Sequence, residues 1–166
     1  MKMNHKTYME KAMRQAMVAF DAGEIPVGCV IVQYPKDPDA LPMVIGQAYN
    51  QVELLKDPTA HAEIIAITQA ANSVGDWRLT DTVMYVTKEP CSMCAGAIVL
   101  ARINTVVWGL SDPKRGGETV FNILNSDNLN HKPKIITGVC EEGCKAIIQE
   151  FFAIRRQENK QKSITN

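Results

Sequence analysis

The chain has no apolar run near the roughly twenty residues a membrane-spanning helix needs, and its first residues lack the charged-then-apolar order of a secretory signal. A cytoplasmic protein with no membrane partner is therefore expected. It also has no excess charge, since 18 Lys and Arg balance 18 Asp and Glu and the isoelectric point is near 6.8. No global field draws it to nucleic acid, so any RNA contact must come from local patches. Five cysteines, an odd number, do not form a disulfide framework. Internal repeats and low-complexity linkers are missing, and 166 residues at 46% apolar content suit one domain with a substantial core. That domain is expected to span residues 1–166, with a flexible C-terminal tail from about residue 159.

What the chain does have is a set of soft ligands at suggestive spacing. Cys91 and Cys94 follow Pro90 and stand three apart, so on a helix their sulfurs are neighbours and can reach one metal. Pro90 suits a helix start, where the helix dipole favours thiolate over thiol. Alone, a C-x-x-C pair fits a redox couple or half of a structural zinc knuckle as well as it fits a catalytic centre. His61-Ala62-Glu63, thirty residues earlier, shifts the balance. His61, Cys91 and Cys94 make three N/S ligands for Zn²⁺ and leave a tetrahedral position open, whereas a closed structural site needs a fourth ligand that no other Cys or His supplies at ligand spacing. Two thiolates cancel the ion's charge, so water is acidified less and a separate base is wanted. Glu63 fits that role, taking a proton from water and returning it to the substrate. His61-Ala62-Glu63 followed by Pro90-Cys91-Ser92-Met93-Cys94 matches the H-x-E…P-C-x-x-C signature of the zinc-dependent nucleobase deaminases.

Hydrophobic periodicity orders the elements. Met9, Ala12, Met13, Ala16, Met17 and Phe20 form a helical core stripe from about Tyr8 to Asp21, with Gly23 as its stop. Val27 to Gln33 and Met43 to Tyr49 read as a hairpin whose long loop carries Pro35, Pro38 and Pro42. After a polar connector, Asp57-Pro58-Thr59 caps a helix from about Ala60 to Ala71. His61 and Glu63 would point about 200° apart inside a regular helix, so they share one centre only at its beginning. Thr82 to Thr87, Cys91 to Ala101 and Asn104 to Trp108 read as strand, helix and strand, which predicts parallel pairing and ligands converging at the strand C-terminal edge. A short helix over Val120 to Leu124, a strand over Lys134 to Val139 and an amphipathic helix from about Glu141 to Lys160 complete the chain. Cys144, Ile147, Ile148, Phe151 and Phe152 are the last helix's core stripe. Cys29, Cys140 and Cys144 are read as small apolar residues.

The blocks Asp57 to Ile64 and Glu89-Pro90-Cys91 with Met93 to Ile98 closely resemble the bacterial tRNA-specific adenosine deaminases, within the cytidine-deaminase-like zinc superfamily. Glu24 to Gly28, Asn50, Arg102-Ile103, Asp112, Leu129-Asn130-His131 and Phe151-Phe152 with Arg155-Arg156 extend the likeness over most of residues 6 to 158. The resemblance implies an α/β/α three-layer sandwich around a mixed five-stranded sheet, a homodimer, one Zn²⁺ per chain, and hydrolysis of adenosine to inosine at the wobble position of an arginine tRNA anticodon loop. It implies roles as well. His61, Cys91 and Cys94 hold zinc, Glu63 shuttles the proton, Asn50 and Ala62 contact the base, and Asp112, His131, Phe151, Arg155 and Arg156 lie toward the RNA. Two stretches depart from the family, the proline-rich loop from Tyr34 to Pro42 and the segment Arg115 to Thr119, where Glu118 sets an acid near a route for phosphate. The alternatives are a deaminase of a free base or nucleoside, such as guanine or cytidine, and a zinc-stabilised RNA-binding module without turnover.

Overall fold

The computed structural model describes residues 4–37 and 39–164. The elements run α1 (His5–Asp21), β1 (Gly28–Gln33), β2 (Met43–Tyr49), α2 (Val52–Leu55), α3 (Ala62–Val74), β3 (Thr82–Lys88), α4 (Ser92–Leu100), β4 (Thr105–Leu110), β5 (Lys134–Thr137) and α5 (Glu141–Ile164). One sheet has the order β2-β1-β3-β4-β5. Pairing is antiparallel for β2-β1 and β1-β3 and parallel for β3-β4 and β4-β5, so the sheet is mixed as expected. β2 and β3 both run antiparallel to β1, which brings their C-terminal ends to the same sheet edge.

The period of two along each strand sorts side chains between two cores. Cys29, Ile31, Met84, Val86, Val106 and Trp108 pack on the face that α3 and α4 cover. Val30, Val32, Val83, Tyr85 and Val107 pack on the opposite face with Met9 and Ala12 of α1 and Cys144 of α5. The result is the expected three-layer sandwich. Cys29 and Cys144 are buried within it, while Cys140 is only partly covered.

Several local expectations need correction. Met17 is 40% exposed and leaves the core stripe of α1, where Ala19 is buried instead. The connector after Asn50 contains α2, because Glu24 supplies acceptors for its first amides. Residues 120–124 form turns and no helix: Asn122 adopts φ 50 and the Ile123 N–H returns to Gly117 O at 2.9 Å, a left-handed stop after a single turn. Phe152 is 40% exposed and lies outside the core stripe of α5. α5 runs on to Ile164, past the expected helix end at about Lys160. In the hairpin loop, Pro38 lies outside the described residues.

Candidate active site

Two helix starts build the centre. His61 is the N-cap of α3 and Cys91 the N-cap of α4; each has extended backbone (ψ 151 and ψ 176), and neither spends its side chain on capping. The Asp57 carboxylate instead holds the preceding turn by accepting from Thr59 N–H (2.8 Å) and Oγ1 (2.7 Å). An N-cap has left helical geometry, so the 200° separation inside a regular helix no longer applies between His61 and Glu63. Both ligand-bearing ends lie at the edge where β2 and β3 finish.

His61 Nδ1 is 3.6 Å from Cys91 Sγ and 3.6 Å from Cys94 Sγ. A tetrahedral zinc with Zn–S of about 2.3 Å and Zn–N of about 2.0–2.1 Å separates nitrogen from sulfur by about 3.6 Å. The donor set therefore fits that ion in both chemistry and spacing. Among the described residues, His61, Cys91 and Cys94 are the one group whose ligand atoms lie close enough to hold a metal, all within 4.8 Å of one another. The two thiols do not titrate alike. Hydrogen bonding from Cys94 brings Cys91 down to about 3, helped by His61, while the same bond and burial push Cys94 up.

Glu63, the second residue of α3, is 3% exposed beside this centre. Burial pushes its carboxyl up to about 7, opposed by the His61 imidazole and reinforced by Cys91. A carboxyl poised near neutrality can both take and give a proton, which suits general acid-base work.

His61, Glu63 and Cys91 lie in a cleft of about 1490 Å³. A pocket for one small ligand needs roughly 300–1,000 Å³, so this space exceeds the needs of one base. Asn50 lines it, as do Asp112, Phe151, Arg155 and Arg156. Phe151 is only 6% exposed, wedged edge-on between Phe20 and Phe152, so Phe152 offers the more open ring. Arg155 is tethered, donating to Gly23 O at 2.7 Å and lying over the Phe151 ring. Two expected contacts are not brought in. Ala62 is fully buried in the α3 core, and His131 bonds Ile103 O at 2.7 Å, at the N-terminal end of β4 and the opposite sheet edge. The cleft is also lined by Lys88, Glu89, Lys114, Arg115 and Glu24, to which the sequence reading assigned no role in the site. Lys88 pairs with Asp112. Glu118, expected near the phosphate route, turns to Asn125 instead, accepting from its N–H at 3.1 Å and its amide at 2.8 Å.

An α/β/α sandwich with a His/Cys/Cys set and a buried glutamate at its sheet edge defines a hydrolytic nucleobase deaminase. The chain belongs to the MafB19-like deaminase family, whose profile matches residues 3–156, and with it to the tRNA-specific adenosine deaminases. It is 39% identical over 154 residues to the tRNA-specific adenosine deaminase of Bacillus subtilis (strain 168), covering 92% of this chain and 91% of that one. A solved tRNA:A34 deaminase, studied for A-to-I editing at the wobble position of transfer RNA, is similar at TM-score 0.77 and 37% identity over 85% of this chain and 98% of that one. The guanine deaminase from Bacillus subtilis is similar at TM-score 0.58 and 39% identity over 66% of each chain. Among the described residues no helix is long and apolar enough to cross a membrane.

Proposed function

We propose that this enzyme converts adenosine to inosine in the anticodon loop of a tRNA, at the wobble position, with one Zn²⁺ held by His61, Cys91 and Cys94. The observation that carries the reading is a buried glutamate and a three-ligand centre inside a cleft too large for one base and lined by cationic side chains. When bound, zinc supplies Lewis-acid activation of water. The chain does the rest. Glu63 takes a proton from the attacking water and gives it to the ring nitrogen beside C6; the proton of the new C6 hydroxyl then passes by way of Glu63 to the 6-amino group, which leaves as ammonia as C6=O forms. Asn50 lines the cleft and is offered to the base, Phe152 gives a flanking base a stacking face, and Arg155 and Arg156 sit where backbone phosphate passes. An arginine tRNA as substrate, a homodimer and a cytoplasmic location belong to the same proposal, on the family likeness.

The test is product analysis with four substrates: an anticodon stem-loop bearing adenosine at the wobble position, free adenosine, guanine and cytidine. Inosine formed in the stem-loop at far higher kcat/KM than any turnover of the free compounds supports the reading. Guanine as the preferred substrate moves the chain to the free-base enzymes, which its likeness to a guanine deaminase makes the alternative to exclude.

A further inference from the structure

Glu89 is a carboxylate that the chemistry of the centre does not use. It is 3% exposed, and among the described residues no lysine, arginine or histidine forms an ion pair with it. Its partners all come from one segment. Oε2 accepts from Asp112 N–H at 2.7 Å and Thr119 Oγ1 at 2.8 Å; Oε1 accepts from Thr119 N–H at 2.8 Å and Glu118 N–H at 3.2 Å. Both ends of the irregular stretch 112–119 are thus tied to one side chain. A buried carboxylate satisfied by several N–H and O–H donors is rigid, because each donor removed leaves buried charge unpaired.

The backbones interlock around the same residue. Glu89 N–H bonds Leu110 O at 2.8 Å, Gly117 N–H bonds Pro90 O at 2.8 Å, and Gly116 bridges to Cys91. A Cβ on Gly116 would overlap the Glu89 carboxyl, and one on Gly117 would come within 2.8 Å of Cys91 O. The Gly116-Gly117 pair is therefore what lets the segment seat on Glu89-Pro90-Cys91. Lys114 and Arg115 stand at the crest of the clamped stretch and line the cleft. Their own amides are fixed by Asp112 Oδ1 at 3.0 and 3.1 Å.

We propose that Glu89 is a positioning residue that locks the segment 112–119 to the start of the metal-ligand helix and so holds Lys114 and Arg115 in fixed register with the reaction centre as phosphate contacts. This rests on the tRNA reading above. It makes the clamp a determinant of RNA affinity and not of the proton chemistry.

The test compares wild type, Glu89→Gln, Lys114→Ala/Arg115→Ala and the combination on the anticodon stem-loop, with zinc content and a salt series. Glutamine has one acceptor where the carboxylate has two, and its NH₂ must oppose one of the two donor pairs. KM for Glu89→Gln is expected to rise about 10-fold or more, since buried donors left unpaired cost about that factor or more, with kcat changed far less and zinc retained. The slope of log affinity against log salt should flatten by about 0.7 for each phosphate that Lys114 and Arg115 no longer neutralise. Removing Lys114 and Arg115 as well should add little, since their register is already gone. Additive losses, an unchanged salt slope, or a fall in kcat with zinc loss would overturn the clamp. If Glu89→Gln does not fold, Thr119→Val removes one donor and must show the same direction and the same non-additivity with Lys114→Ala/Arg115→Ala; independence there overturns the proposal. Wild type with no preference for the stem-loop over free adenosine overturns the tRNA reading and the clamp together, whereas a clear preference with additive variants overturns the clamp alone.

Discussion

Glu63→Gln separates the chemistry of the centre from its packing. Burial raises the Glu63 carboxyl from 4.5 to about 7, which corresponds to about 3 kcal/mol against the ionised form in the metal-stripped fold. The sign follows from an acid whose folded value lies above its unfolded one. Below pH 4.5 both states hold the proton and nothing is lost; between 4.5 and about 7 the folded chain keeps a proton that the unfolded chain has released, so stability falls as pH rises. Glutamine has no proton to lose. The metal-stripped variant should therefore unfold at higher urea than stripped wild type at pH 8, by up to about 3 kcal/mol, and the two should converge toward about pH 4. Activity should move the other way. General acid-base catalysis is typically worth about 10²- to 10⁴-fold, and one carboxyl serving two proton steps stands at the upper end. Zinc should stay at one per chain, because Glu63 is not among the three donors. Urea titrations across pH, elemental analysis and stem-loop deamination decide it. Turnover within tenfold of wild type, loss of zinc, or parallel pH-stability curves would each refute the reasoning.

Cys91→Ala should abolish stoichiometric zinc binding and activity together, because two remaining donors do not make a tetrahedral centre; full zinc by elemental analysis would sink the ligand assignment. Arg156→Ala should flatten the salt dependence of stem-loop affinity by about 0.7 to 0.9 of one counterion with thermal stability unchanged. Arg155→Ala should do so while also lowering Tm, since it ties α5 to the Gly23 carbonyl; identical slopes for wild type and both variants would remove them from the RNA interface.

The sheet, its mixed pairing and the centre itself were legible because they rest on short-range signals. Short β-rich runs bounded by turn residues marked the strands, and the spacing of His61, Glu63, Cys91 and Cys94 marked the chemistry before any contact was known. Boundaries were less legible. His61 and Cys91 each fall one step ahead of the helix they introduce, because a cap differs from a first turn only in backbone angles that composition does not encode. What sequence reasoning missed was held by tertiary hydrogen bonds. α2 is four residues long, too short to stand alone, and exists where Glu24 reaches across some thirty positions to accept from Glu53 N–H at 3.1 Å and Leu54 N–H at 2.7 Å. The placement of His131 and Ala62 was not legible for a related reason. Chain order does not reveal which sheet edge a loop returns to, or which way a helix's first side chain faces.

A formal charge of zero concealed the cleft's character, and the structure explains how. Five acids line it, yet most are already engaged. Glu24 and Glu89 are spent on the backbone amides of α2 and of residues 112–119, Glu63 sits buried beside the metal ligands, and Asp112 is paired with Lys88. Glu53 and the cations Lys114, Arg115, Arg155 and Arg156 complete the lining, Arg155 also pairing with Glu158, so cationic side chains reach the cleft although the chain's formal charge is zero. The arrangement has a structural cause. Walls of irregular backbone cannot satisfy their own amides, and a carboxylate with two oxygens serves several donors at once where a hydroxyl or amide serves fewer. Using acids as the frame and cations as the lining produces shape and polarity from the same residues.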